Sequence, residues 1–392
     1  MSLNLPFREN FARLIALPSV SSPDPALDLS NKSTIDFLSN TLEDLGFAVE
    51  QIPVCDHAGK YNLVAQLGEG KGGLVLSGHT DTVPFDPDKW TQDPFCLTEK
   101  DNRYYGLGVS DMKCFFPIVM EVIKDIDPAK LHQPLYILAT ADEESNMSGV
   151  RALAGSGKTL GRYALIGEPT GLKPIYMHKG IIMESITVTG LSGHSSNPGL
   201  GRNALDGMHR VMHVLMEWRK DLQKEFTNEH FEVPYPTLNF GSIRGGDNPN
   251  RICAQCELQI DLRFLPKTSI EEIRSQLHQK AKGALMGSDL AIEFRPVFGG
   301  VPPLQTSANS EILKIAEKLS GHRPSTVAFG TEAPYLSQMG METVILGPGN
   351  IDQAHRPDEY LEIKRIKPMM RIVSGLIHHL CVKEKQDVNA FI

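Results

Sequence analysis

Short apolar runs that end in polar residues recur along the first half of the chain. Leu74-Val75-Leu76 passes through Ser77-Gly78 into His79-Thr80-Asp81, a pattern that predicts a buried strand delivering polar chemistry at its C-terminal end. Leu135 to Thr140 runs into Ala141-Asp142-Glu143-Glu144, and Tyr163 to Ile166 runs into Gly167-Glu168-Pro169, where the proline keeps Glu168 extended. Ahead of them, residues 4–17 and 31–45 carry helical apolar spacing, the second stopped at Gly46, and runs at 47–52 and 61–67 read as strands. The glycine-rich stretch 68–73 between two strands reads as a hairpin turn. Residues 104–110 form a tight, small-residue approach to Asp111, and a helical run at 112–126 puts Asp111 at a helix N-terminus, where its simplest role is an N-cap. Strands alternating with helices imply a mostly parallel sheet, with ligands outside the carboxyl ends of the strands. His79, Asp111, Glu143, Glu144 and Glu168 would then meet on one rim.

From about residue 180 the pattern changes. Strands are expected at 181–189, 237–243, 251–264 and 290–297, with helices at 203–226 and 270–283. The first helix carries Leu205, Met208, Met212, Leu215 and Leu222 at helical spacing, and the second opens with a capping box, Ser269 to Glu272. The order β-α-β-β-α-β is the ferredoxin-like unit. The expected fold is therefore α/β: one domain, 1–178 with 298–392, built on a mostly parallel mixed sheet flanked by helices, and an inserted ferredoxin-like domain, 179–297. After the insert, residues 313–319 read as helix, 343–346 as a short strand, and a last helix begins near 363.

The length of 392 residues exceeds one ordinary core, which agrees with two domains. A net charge of −8 argues against nucleic acid or an anionic membrane as partner. No run of 18 apolar residues offers a membrane span, and Met1 to Asn10 lacks a signal-peptide pattern. Cys55, Cys96, Cys114, Cys253, Cys256 and Cys381 are scattered, which fits reduced thiols in a cytoplasm. Two motifs are decoys. Gly155-Ser156-Gly157-Lys158-Thr159 resembles the tail of a phosphate loop, but Ala152 stands where glycine is needed and a helical run precedes it. Cys253 and Cys256 resemble half a zinc site, but in an extended strand their sulfurs would point to opposite faces.

Positions i and i+2 of a strand share a face, so the Asp81 carboxylate can hold the His79 imidazole while the other ring nitrogen faces outward. One imidazole and several carboxylates on a rim suit a hydrolytic metal such as Zn²⁺ or Co²⁺. Each residue alone has a plainer reading: a cap for Asp111, a solvated turn for 142–144, a strand-end hydrogen bond for His79. A second histidine would balance a two-metal site. His355 follows a strand and a glycine turn, but the pattern leaves it one candidate among 13 histidines.

The chain resembles the dinuclear zinc aminoacylase, carboxypeptidase and desuccinylase superfamily nearly end to end. The matching stretches are Ser77–Phe85, Tyr105–Gly108 with Ser110–Lys113, Ala139–Glu144, Ile166–Thr170, Gly193–Ser196, Asn250–Cys253, Thr331–Pro334 and Gln353–His355. Their wording is similar to the branch that cleaves N-acetyl-L-ornithine to ornithine and acetate in arginine synthesis. A succinyl-diaminopimelate desuccinylase or a related carboxypeptidase or aminoacylase is the alternative. The resemblance implies two Zn²⁺ per subunit, with Co²⁺ as a substitute. His79, Asp111 and Glu168 would hold one ion, and Asp111, Glu144 and His355 the other. It implies Glu143 as general base, pointing away from the ligands, Asp81 as the orienter of His79, and a cis peptide after Asp111. The insert would be a dimerisation lid, giving a homodimer, with His194 reaching the partner's active site to steady the oxyanion. Asn250 or Arg263 would hold the substrate's α-carboxylate, although a strand arginine often pairs with a neighbour such as Asp261, and Glu332 would meet the side-chain ammonium. One departure is Cys114, where the branch usually has glycine; beside Asp111 it could tighten the site or make it oxidation-sensitive.

Overall fold

The computed structural model describes residues 6–54 and 59–382, so residues 4 and 5 of the first expected helix and Cys55 lie outside the described residues. The chain divides into two compact units: Met1–Tyr176 with Thr306–Ser325 and Thr331–Ile392, and Met177–Gln305 with Thr326–Gly330.

In the first unit, strands Leu74–His79, Leu135–Thr140 and Tyr163–Ile166 form where the apolar runs stand. Leu74–His79 lies parallel between the other two, and Glu342–Ile345 adds parallel to Tyr163–Ile166. Tyr61–Leu67 and Ala48–Pro53 complete that side as an antiparallel pair beyond Leu135–Thr140. All residues of Leu74–His79, Leu135–Thr140 and Tyr163–Ile166 are buried, as strands covered on both faces must be. Register sets His79 level with Thr140 and Ser77 level with Ile166, so the polar tails leave the sheet at one edge.

The 68–73 stretch is not a hairpin turn. Leu135–Thr140 lies between Tyr61–Leu67 and Leu74–His79, and the loop must step over it. That path explains Gly73, which has φ +84° and would place a Cβ 1.9 Å from the Pro134 carbonyl oxygen. The helix after Asp111 is shorter than expected, Phe115–Ile123, with every residue but Glu121 buried. Its neighbours include the C-terminal helix Ile366–Ile377, and both contribute to one continuous apolar core. Gly155 ends the helix Ser148–Gly155, and Lys158 makes a surface ion pair with Glu50, so the 155–159 stretch follows a helix, as its decoy reading requires.

In the second unit four antiparallel strands run in the order Thr237–Gly245, Gln255–Phe264, Gly180–Thr189, Ala291–Pro296. The helices Ala204–Glu225 and Ile270–Gly283 share its core with them. Both arms of the capping box form: the Glu272 N–H donates to Ser269 Oγ at 3.1 Å, and the Ser269 N–H to Glu272 Oε2 at 2.9 Å. The buried stripe of Ala204–Glu225 is Met208, Val211, Leu215, Trp218 and Leu222; Leu205, expected in it, is exposed. Residues 251–254 precede the strand that begins at Gln255. Cys253 is therefore not held to the far face, and both it and Cys256 pack into this core. Neither belongs to a potential metal-binding group among the described residues.

Candidate metal centre

His79 is the last residue of its strand. Its Nδ1 lies 2.9 Å from the Asp81 carbonyl oxygen and 3.8 Å from the Asp81 carboxylate. The carboxylate instead accepts the Glu144 N–H at 3.0 Å, so the expected i, i+2 pairing is replaced by a backbone contact. The reason is local: the strand stops at His79, and Asp81 is already past its end. A carbonyl oxygen can only accept, so Nδ1 carries the hydrogen and Nε2 is presented to the site. Nε2 stands 3.2 Å from Asp111 Oδ1.

Asp111 is not a helix cap. It sits in a run of turns, with Cys114 at the cap position and a cis peptide to Met112. Asp142, with φ +59°, opens a turn in place of extended chain, so Glu143 and Glu144 do not diverge. Ligand atoms of His79, Glu143 and Glu168 all lie within 4.8 Å of one another, as do those of His79, Asp111 and Glu144. Glu143 thus stands beside His79 and Glu168 and does not point away from them. His355 Nε2 reaches Glu144 Oε2 at 3.0 Å and lies 3.7 Å from Asp111 Oδ2. One cluster therefore holds His79, Asp111, Glu143, Glu144, Glu168 and His355.

The cluster is short of positive charge. Burial, then Glu168, pushes the Glu143 carboxyl well up, and burial, then Asp111, does the same to Glu168. Glu144 is raised by burial and Asp111. Burial alone would lower His79, but Asp111, Glu168 and Asp81 hold it well above its usual range. His355 is raised to about 9, chiefly by Glu144. Glu168 Oε1 is buried with no hydrogen-bond partner. Such a group is costly to bury unless something absent from the chain completes it. Two imidazoles and several carboxylates, with an orphaned oxygen among them, fit hard or borderline divalent cations.

Two glycines let the helix start beneath this cluster. A Cβ on Gly78 would lie 2.6 Å from Met112 Cε, and one on Gly167 only 2.2 Å from the Phe115 ring. These residues precede His79 and Glu168, so the two side chains leave the sheet where the start of the helix packs closely against it. Lys60, missed in the sequence, is 2% exposed, with its ammonium 2.7 Å from Asp28 and 2.9 Å from Asp142. Asp142 also accepts from Ser21 at 3.0 Å and from Ser148. This knot pins the turn that carries Glu143 and Glu144. A buried lysine immediately before the strand Tyr61–Leu67 carries no periodic signal that could have disclosed it.

Glu332, expected to meet a substrate ammonium, is fully buried. Burial pushes it up to about 7, with a nearby Thr140 hydroxyl pulling the other way. Arg263 is occupied: Nε and Nη2 donate to Asp261 at 2.8 and 3.0 Å, the pairing that competed with a substrate role. His194 and Asn250 are exposed and lie on adjoining segments, the Ser195 N–H donating to the Asn250 carbonyl at 3.0 Å. His194 Nδ1 bonds the Ser196 hydroxyl at 2.7 Å. Cys114 is fully buried, and burial, then Glu359 and Asp111, pushes its thiol well up. It is a packing residue whose burial disfavours the thiolate.

A model of peptidase family M20/M25/M40 matches residues 75–379, a span holding every residue of the cluster. The chain belongs to this family. Among relatives, the acetylornithine deacetylase of Photorhabdus laumondii is 45% identical over 97% of this chain and 99% of its own length. That of Proteus mirabilis is 44% identical over 98% of this chain and 100% of its own. Among solved structures, a Staphylococcus aureus tripeptidase superposes with TM-score 0.74 at 20% identity, covering 95% of this chain and 97% of its own. A dinuclear metal-binding M20 peptidase from Bacillus subtilis gives TM-score 0.66 at 13% identity, over 95% and 97%. The M20/M25/M40 fold is thus shared at identities too low to carry a substrate with it. The chain is a hydrolase of a metal-binding family, and no helix among the described residues is long and apolar enough to cross a membrane.

Proposed function

We propose that the protein hydrolyses N2-acetyl-L-ornithine to L-ornithine and acetate, as a cytoplasmic step of arginine synthesis. The substrate rests on the identity of 44–45% to acetylornithine deacetylases over nearly the whole chain. The reaction type rests on the buried cluster with its unpartnered Glu168 oxygen. His79, Asp111 and Glu168 would hold one divalent ion and Asp111, Glu144 and His355 the other, with zinc the expected metal and cobalt a working substitute. Bound there, such ions supply Lewis acidity and bring a water's pKa towards neutrality.

The chain's own residues do the rest. Glu143 is the only residue of the cluster left outside the two ligand sets. Its raised carboxyl suits a group that takes a proton from the attacking water at a carboxylate oxygen and returns it to the departing amine. The Asp81 carbonyl fixes the His79 tautomer, and the Lys60–Asp142 pair holds the turn beneath Glu143. Two copies are expected to associate through the second unit, with His194 serving the oxyanion in the partner's site and Asn250 beside it contributing to carboxylate binding; Arg263 joins only by leaving Asp261.

Acetate release from N2-acetyl-L-ornithine is the test, with the chelated protein refilled with Zn²⁺ or Co²⁺. The expected order of kcat/KM places acetylornithine above succinyl-diaminopimelate, simple N-acyl amino acids and dipeptides. A preference for succinyl-diaminopimelate would move the chain to the sibling activity, and no turnover of any of them would end the hydrolase reading. Loss of activity in His194→Ala, restored on mixing with Glu143→Gln subunits, would support the shared site.

A further inference from the structure

We propose that Glu359 is a positioning residue, gathering the 106–111 loop around one carboxylate and so fixing Asp111 for metal binding. The Ser110 and Asp111 N–H groups donate to its Oε1 at 2.6 and 3.0 Å, and the Gly108 N–H to Oε2 at 3.0 Å. The Gly106 N–H donates to the Glu359 carbonyl at 3.2 Å, so four amides of one loop converge on one residue. Gly106 and Gly108 have φ +151° and +86°, which lets successive N–H groups face inward as an anion-binding concavity. Here the accepting carboxyl group belongs to the chain itself, and it is 2% exposed.

The same segment begins with His355, four residues earlier. Asp358 accepts from the Thr91 N–H and hydroxyl, both at 2.8 Å, and the Asn350 N–H donates to Ser110 Oγ at 2.9 Å. Beyond Glu359 the strand Tyr360–Glu362 pairs antiparallel with Arg103–Tyr105, which leads into the loop. The carboxylate therefore links the segment that delivers His355 to the loop that delivers Asp111. Glutamine cannot replace it. Its one oxygen can serve Ser110 and Asp111, but its amide nitrogen would meet the Gly108 N–H donor to donor.

This inference rests on the metal-binding reading of the cluster, and the experiment separates the two. Co²⁺ binding to the full-length protein is measured by titration and by the visible absorption of the bound ion, for the unaltered chain, Glu359→Gln and Val373→Ala. Val373 is buried in the C-terminal helix and serves as a stability control. Glu359→Gln is expected to weaken Co²⁺ binding about 10–100-fold and alter the absorption, the usual cost of removing an outer partner of a ligand. Val373→Ala should lower the melting temperature with Co²⁺ affinity and spectrum unchanged. Unaltered affinity and spectrum in Glu359→Gln would overturn the inference while leaving the metal site intact; an unaltered chain that binds no Co²⁺ would overturn the metal reading itself. Should Glu359→Gln fail to fold, hydrogen exchange on the unaltered metal-free protein decides. Amides of Gly108, Ser110 and Asp111 should exchange at least about tenfold more slowly than those of Asp88 and Lys89, and equal rates would refute the role.

Discussion

In the second unit, burial along Gln255–Phe264 alternates residue by residue, and a single stripe of Ala204–Glu225 meets the core. At the carboxylate rim of the first unit nothing alternates. Its six clustered side chains leave from five different places in the chain, and His79 meets Asp111, and His355 meets Glu144, across long stretches of sequence. The one region is held by apolar area, distributed over many residues and forgiving of any single loss. The other is held by a few buried polar contacts, where removing one partner leaves a charge or amide unsatisfied. Function sits in the second kind of construction, and stability is drawn mostly from the first.

That contrast can be broken at several points. Glu143→Gln should lower kcat by roughly 10²–10⁴ with KM little changed, while melting temperature and metal content stay near those of the unaltered protein. Steady-state kinetics with metal analysis checks it, and a near-normal rate would remove Glu143 from proton transfer. Leu215→Ala, in the buried stripe of the second unit, should do the reverse. It should cost about 2–5 kcal/mol of unfolding free energy and leave Co²⁺ affinity unchanged, as read by denaturant titration.

His178 offers a smaller effect with a pH signature. It is fully buried, Nδ1 donates to the Lys179 carbonyl at 2.9 Å, and burial lowers its pKa to about 4 from the ordinary 6.5. The folded chain therefore rejects a proton that the unfolded chain accepts. Its neutral form contributes stability that is complete above pH 6.5 and is lost as the pH falls towards 4, about 3 kcal/mol in all. Unfolding free energies of the unaltered chain and His178→Phe should diverge in slope across that window; parallel curves would contradict the assignment. Smallest is Ser269→Ala, which removes one arm of the capping box and should cost about 1 kcal/mol, visible as a shift in melting temperature.

How much could be read beforehand follows the same divide. Regular elements were legible because a period fixes each residue's environment: Leu135–Thr140, Tyr163–Ile166 and Ile270–Gly283 fall on their expected residues. Errors lie where a neighbour distant in sequence decides. The 68–73 loop looked like a hairpin because its two strands are consecutive, and nothing local announces that Leu135–Thr140 will enter between them. Cys253 lacks the strand face that its spacing predicts, because the strand begins two residues later. At the rim, residue types and the cis peptide at Asp111 were anticipated, while the supports were not. Lys60, Glu359 and the Asp81 carbonyl act through contacts that span two to about 250 residues and repeat with no period.

The parallel placement of Glu342–Ile345 beside Tyr163–Ile166 has a consequence for synthesis on the ribosome. His79, Asp111, Glu143, Glu144 and Glu168 are all made before the second unit, whereas His355 and Glu359 emerge only after it. A nascent chain therefore carries an unfinished acidic cluster until residues 355–359 are made, so the part of the rim that includes His355 is the last to be assembled.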